Sequence, residues 1–159
     1  MIPIRIFISS VQKEFAEERA RLRDYLQGDA LMRRFFEVFL FEDLPAVSRR
    51  PDELYLEEVK QCDVYVGLFG YNYGSIDDDG LSPTEKEFNL ATKLNKYRLI
   101  YVRGSDDSSR DMKMQLLVGR VQKEITRKRF DTSAELLSGV YSALVEYLIE
   151  KQLLTYSHG

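Results

Sequence analysis

The stretch Asp63-Val64-Tyr65-Val66-Gly67-Leu68-Phe69 is apolar at almost every position. A strand with one wet face alternates apolar and polar residues. A run without alternation reads as a strand covered on both faces, which is the habit of parallel sheets. After it come a loop at residues 70–81, with three glycines and three consecutive aspartates, and then Ser82-Pro83-Thr84-Glu85-Lys86-Glu87-Phe88. Ser82 fits a helix N-cap, Pro83 the first helical position and Glu85 the third, which makes a capping box. The Glu85 carboxylate is then expected to reach back to the Ser82 backbone N–H. Glu87 lies beyond the box, beside the apolar positions Phe88 and Ala91, and capping does not account for it.

Working outward, residues 3–9 (PIRIFIS) read as a first strand, and Ser9 or Ser10 as the cap of a helix reaching about residue 27. Residues 35–41 (FFEVFLF) read as strand two, and residues 52–61 as a helix with Tyr55, Val59 and Cys62 along one side. Beyond the helix at residues 83–95, strand four spans 97–102, a helix 110–125, and a short fifth strand 128–130. A last helix opens on a second capping box, Thr132 with Glu135, and runs to about residue 153. Strands that alternate with helices imply a parallel sheet with helical crossovers, hence an α/β three-layer sandwich. Right-handed crossovers favour a flavodoxin-like order, 2-1-3-4-5. In that topology ligands sit beyond the carboxyl ends of the strands, near the switch between strands one and three. The segments expected to meet there are Ser9-Ser10, Glu42-Asp43, residues 70–74 and the start of the Pro83 helix.

At 159 residues, 44% hydrophobic and 31% charged, the chain suits one globular domain, placed at residues 1–153. Residues 154–159 read as a flexible tail, or as the start of a linker to a further region. A net charge of −3 gives no domain-wide footprint for nucleic acid. The single cysteine, Cys62, excludes an internal disulfide framework and suits the cytoplasm. No apolar run has the length of a membrane span, and no signal-peptide pattern opens the sequence.

Several motifs in order resemble a known bacterial family. They are Ile6-Phe7-Ile8-Ser9-Ser10 with Glu14 and Glu17-Glu18-Arg19; Tyr55-Leu56-Glu57-Glu58-Val59 leading into residues 62–70; Tyr73-Gly74; and Ser82 to Phe88. Together they look like the TIR-like domain of unassigned function that opens many large bacterial regulatory and defence proteins. The resemblance is carried by about the first hundred residues. More distantly, the arrangement is similar to TIR domains and to nucleoside 2-deoxyribosyltransferases, in which a helix after the third strand carries a glutamate that works at C1′ of a ribose. The deoxyribosyltransferase pattern places an alanine four residues after that glutamate, and Glu87 with Ala91 has this spacing. The resemblance thus implies Glu87 as a catalytic carboxylate.

Cleavage of an N-glycosidic bond builds positive charge on the ribose, which a nearby carboxylate stabilises or attacks. The bland alternative is a solvated helix glutamate paired with Lys86 or Lys93. The expected ligand contacts are Ser9 and Ser10, with the backbone N–H groups of Ser10 and Val11 set to meet a phosphate. Further contacts are expected from Asp43, from Gly70 and Gly74, and from Ser82 and Thr84. Tyr71 and Tyr73 either stack on a base or, with Gly70, Asn72 and Gly74, form only a turn after the buried strand. Arg49 and Arg50 either reach a phosphate or are solvated. Asp77, Asp78 and Asp79 lack the spacing of a calcium loop and read as a solvated turn. Arg120, Lys123, Arg127, Lys128 and Arg129 read as cations near a helix C-terminus, not as a nucleic-acid surface. His158 is the only histidine, which leaves no His-dependent triad or His-rich metal site.

Two functions follow. One is a signalling or self-association module of a larger protein, able to bind a nucleotide but with no required cofactor, no metal, no membrane contact and no direct nucleic-acid partner. The other is an NAD or nucleoside N-glycosidase or ribosyltransferase acting through Glu87.

Overall fold

The computed structural model describes residues 2–46, 48 and 51–155. Arg49 and Arg50, and the end of the expected tail including His158, lie outside the described residues. The elements, in order, are β1 (Ile4–Ser9), α1 (Gln12–Gly28), α2 (Met32–Phe35), β2 (Phe36–Phe39), α3 (Pro51–Gln61), β3 (Val64–Phe69), α4 (Pro83–Lys93), β4 (Tyr97–Arg103), α5 (Met112–Glu124), β5 (Arg127–Phe130) and α6 (Ser133–Glu150). The five strands form one parallel sheet in the order β2-β1-β3-β4-β5, as the alternation of strands and helices implies. In the central pair Ile8 lies opposite Val66 and Ser9 opposite Gly67.

All six residues of β3 are buried. Val64, Val66 and Leu68 join a core with Phe15, Leu22 and Leu26 of α1 and Val140, Leu144 and Leu148 of α6. Tyr65 and Phe69 join the opposite core with Phe88 of α4 and Met114, Leu117 and Val121 of α5. Each face of the strand has its own helical cover, which is why its sequence does not alternate. No helix among the described residues is long and apolar enough to cross a membrane.

Two local expectations need correction. Neither Ser9 nor Ser10 caps α1: the N-cap is Val11, with no side-chain cap bond, because both serine hydroxyls are engaged elsewhere. Strand two is shorter than 35–41. The Asp29 carboxylate accepts the backbone N–H groups of Leu31 (3.0 Å) and Met32 (2.9 Å), starting α2, which runs up to the strand. Beyond Leu40 the chain turns tightly through Phe41–Asp43.

Candidate active site

The α4 cap sets the position of Glu87. The Ser82 hydroxyl accepts the Glu85 N–H at 3.2 Å, as the capping box requires. The reciprocal bond is not the expected one. The Ser82 N–H donates to the Tyr73 hydroxyl (3.2 Å), and that hydroxyl donates to Glu85 Oε1 (2.7 Å). Tyr73 is inserted into the box and ties the β3–α4 loop to the first turn of the helix.

Glu87 follows two residues later, on the face of α4 turned to the end of β1. It is 4% exposed, and its Oε1 accepts the Ser9 hydroxyl at 2.7 Å. Lys86 does not neutralise it, being paired instead with Asp77 and Asp79 at 2.7 and 3.0 Å. Glu87 lines a cavity of about 600 Å³ at the β1/β3 switch. One wall is the end of β1 and the start of α1, with Ile8, Ser10, Val11, Gln12 and Lys13; the other is the start of α4 with Pro83 and Thr84. Arg19, Tyr55, Asn72, Gly74 and Ser75 complete it.

Burial pushes the Glu87 carboxyl up to about 7, against the opposing pull of the Ser9 hydrogen bond and the Arg19 charge. Near neutral pH the group therefore exists in both protonation states. The Tyr55 phenol is pushed up to about 12, first by burial and then by the Glu87 charge. Tyr55 also accepts a short hydrogen bond from the Gln12 amide and packs on Phe41, with ring centroids 4.5 Å apart.

Arg19 fixes the floor. The residue is 2% exposed, and its Nη1 donates to the Ile8 carbonyl and to the Ser10 hydroxyl, both at 3.0 Å. Its Nε and Nη2 hold the two oxygens of Glu42 at 2.8 and 3.0 Å, a bidentate pair. Burial works to raise the Glu42 carboxyl, yet the bonds and charge of Arg19 outweigh it and keep it below the usual carboxylate range. One guanidinium thus pins the last turn of β1 to the loop after β2.

Of the residues expected to bind ligand, Ser10, Gly74 and Thr84 stand on the cavity wall with Glu87, and Ser9 stands behind Glu87 as its donor. Gly74 has φ of +92°, a left-handed conformation that a side chain would strain. The others are not on the wall. Ser82 is fully buried in the helix cap. Asp43 pairs with Arg23. Neither tyrosine is placed to stack on a base there: Tyr73 is held by the cap, and the Tyr71 ring lies under the Arg110 guanidinium, 4.7 Å from ring centre to carbon. Gly70 backs onto Glu14, whose carboxylate accepts the N–H groups of Tyr71 (2.8 Å) and Asn72 (3.0 Å). A Cβ at position 70 would fall inside that carboxylate. Gly70→Ala is accordingly expected to break both bonds and destabilise the fold by about 2 kcal/mol, read by urea denaturation. Among the described residues no cluster of three His, Cys, Asp or Glu side chains is placed to hold a metal ion.

This cavity, with one buried acid at the switch point, occurs in a chain whose residues 5–145 match the model of a domain of unknown function, DUF4062. The chain belongs to the DUF4062 family. No curated protein matches the sequence. Among solved structures this DUF4062 domain is similar to the CMP N-glycosidase BcmB of Clostridium botulinum, with a TM-score of 0.56 at 13% identity over 87% of this chain and 98% of that one. It is also similar to a conserved protein from Enterococcus faecalis, with a TM-score of 0.51 at 12% identity over 89% and 99% of the two chains. At these identities the likeness is one of fold.

Arg19 and Tyr55 were not among the expected contacts of the DUF4062 domain. A signal for Arg19 exists in the sequence. The buried stripe of α1 is Phe15, Arg19, Leu22 and Leu26, so an arginine occupies a place where helical spacing calls for an apolar residue. Tyr55 shares the inner side of α3 with Val59, and only the fold shows that it lines the cavity.

Proposed function

We propose that this domain cleaves the N-glycosidic bond of a nucleotide, with Glu87 as the catalytic carboxylate. The observation that carries the reading is the burial of Glu87 on the wall of a cavity large enough for a nucleoside phosphate, with a carboxyl that titrates near neutrality. A glutamate kept only for solubility has no reason to be desolvated against a strand end. The fold likeness to a CMP N-glycosidase agrees with this chemistry.

In the proposed reaction the bond between C1′ and the base nitrogen breaks, and the ribose ring takes up the positive charge. The ionised Glu87 carboxylate lies against that charge and stabilises it, or closes on C1′ as a glycosyl ester that water then hydrolyses. Water supplies the hydroxyl that ends on C1′ and the proton that leaves with the base. The ordered Ser9 hydroxyl holds one carboxylate oxygen and leaves the other free. The cavity favours an anionic substrate: the N-terminal turns of α1 and α4 both open on it, Lys13 lines it, and among the described residues Glu87 is the only acid on its wall. A nucleoside 5′-phosphate or a dinucleotide such as NAD therefore fits better than a free nucleoside.

The test is incubation of the domain at high concentration with the common nucleoside monophosphates, nucleosides and NAD, followed by chromatography for free base. Base released from at least one phosphorylated compound, faster than from its nucleoside, is the expected result. No release from any of them contradicts the reading. A second reading, a TIR-like association module of a larger cytoplasmic bacterial regulator or defence protein, is favoured by one feature: Met112 and Leu116 are 73% and 68% exposed one turn apart on α5. That reading predicts self-association indifferent to Glu87.

A further inference from the structure

Behind Glu87, on the neighbouring strand, lies a second polar group that the proposed reaction does not use. Tyr65 is fully buried near the start of β3, between the rings of Phe7 and Phe88 (6.3 and 6.2 Å). Its hydroxyl has no hydrogen-bond partner in the structure. Orphaned buried hydroxyls are rare, because each gives up its bonds to water without replacement. An apolar strand could carry phenylalanine here at no loss of packing. Tyr65 stands opposite Phe7 in the sheet, so Ser9, two residues further along β1, shares its face. After burial itself, the groups that act on the Tyr65 phenol are Ser9, whose hydroxyl is near without forming a well-aligned hydrogen bond, and then Glu87, Cys62 and Arg98. Ser9 is the residue that donates to Glu87. Opposite Ser9 in the sheet stands Gly67, where a Cβ would press on Ile100 at 2.9 Å and on the Tyr65 ring at 3.0 Å. The glycine leaves that ring its place beside the Ser9 end of β1.

We propose that Tyr65 is a positioning residue for Glu87, its hydroxyl donating to Ser9 Oγ when Ser9 donates to the ionised carboxylate. The inference rests on the reading of Glu87 as the working acid. Ser9 then becomes the middle of a chain, Tyr65 to Ser9 to Glu87, in which each bond polarises the next. The chain strengthens as negative charge appears on Glu87. No proton leaves Tyr65: burial holds its phenol well above its ordinary value, so it acts as a donor throughout. The other groups facing Glu87 are Arg19 from α1 and Tyr55 from α3, and their hydrogen bonds go to Ile8, Ser10, Glu42 and Gln12, not to Tyr65.

The experiment follows the Glu87 carboxyl carbon by NMR across pH in the parent and in Tyr65→Phe, with urea denaturation of both. Loss of the donor is expected to raise the Glu87 midpoint by about one pH unit and, through the smaller ionised fraction, to lower base release at pH 7 about fivefold. In a Ser9→Ala background, Tyr65→Phe should no longer move the midpoint, because the link is already cut. An unmoved midpoint together with a more stable protein overturns the proposal, and identifies the hydroxyl as a packing defect. Should the Phe variant fail to fold, 3-fluorotyrosine at position 65, a stronger donor, should lower the midpoint; no change there also overturns it. The NMR readout needs no turnover. A parent that releases no base defeats the glycosidase reading, while the titration still decides the Tyr65 link.

Discussion

Glu87→Gln is expected to lower base release about a thousandfold or more while the protein stays folded and still binds nucleotide. Glutamine keeps the shape of the side chain and an oxygen to accept the Ser9 hydroxyl, so the wall of the cavity is unchanged. What it removes is the negative charge. In a desolvated site a carboxylate against an oxocarbenium-like ribose contributes about 4 kcal/mol or more to the transition state, which sets the size of the loss. Rates should be compared under single-turnover conditions at pH 8, where the parent carboxylate is mostly ionised. The parent's own rate should rise with pH through about 7, because only the ionised form works. Equal rates in parent and variant would assign the chemistry elsewhere.

The same substitution should stabilise the fold, and the gain should depend on pH. In the unfolded chain Glu87 ionises near its ordinary 4.5; in the folded protein, near 7. Below 4.5 both states hold the proton and burial carries no charge penalty. As pH rises past 4.5 the unfolded chain gives up its proton first, so the native state loses stability, and the loss levels off once pH passes about 7. At about 1.4 kcal/mol for each tenfold difference in proton affinity, the full penalty is about 3 kcal/mol. Glu87→Gln carries no charge at any pH. Its advantage over the parent in urea denaturation should grow from near zero at pH 4 to about 3 kcal/mol at pH 8. A difference that is flat with pH would mean that Glu87 ionises as it does in water. An acid held at such a cost is consistent with a functional site, since strain of this kind is otherwise removed by substitution.

Much of this architecture was legible in the sequence, and the reasons differ from element to element. β3 announced itself because burial on both faces removes alternation, and a parallel β3 then limits the topology through the handedness of crossovers. Ser82-Pro83 located the start of α4 to the residue, because capping is a local interaction. Glu87 could be singled out since no local role explained it. The partners of these groups were harder to see. Tyr73 enters the α4 cap from nine residues upstream of Ser82, and no helical or strand period encodes that contact. Ser9 and Ser10 match the composition of an N-cap, but Glu87 and Arg19 draw both hydroxyls into tertiary bonds. Arg19 and Tyr55 share the difficulty from the other side: spacing tells which face of a helix is inward, not what stands across from it.

The most direct test of the central claim is the titration of the Glu87 side-chain carboxyl by carbon NMR, with and without a saturating nucleoside monophosphate. A midpoint near 7, displaced when the nucleotide fills the cavity, is the predicted result. A midpoint near 4.5 that no nucleotide alters would contradict it, since the carboxyl would then be an ordinary solvated group with no ligand beside it.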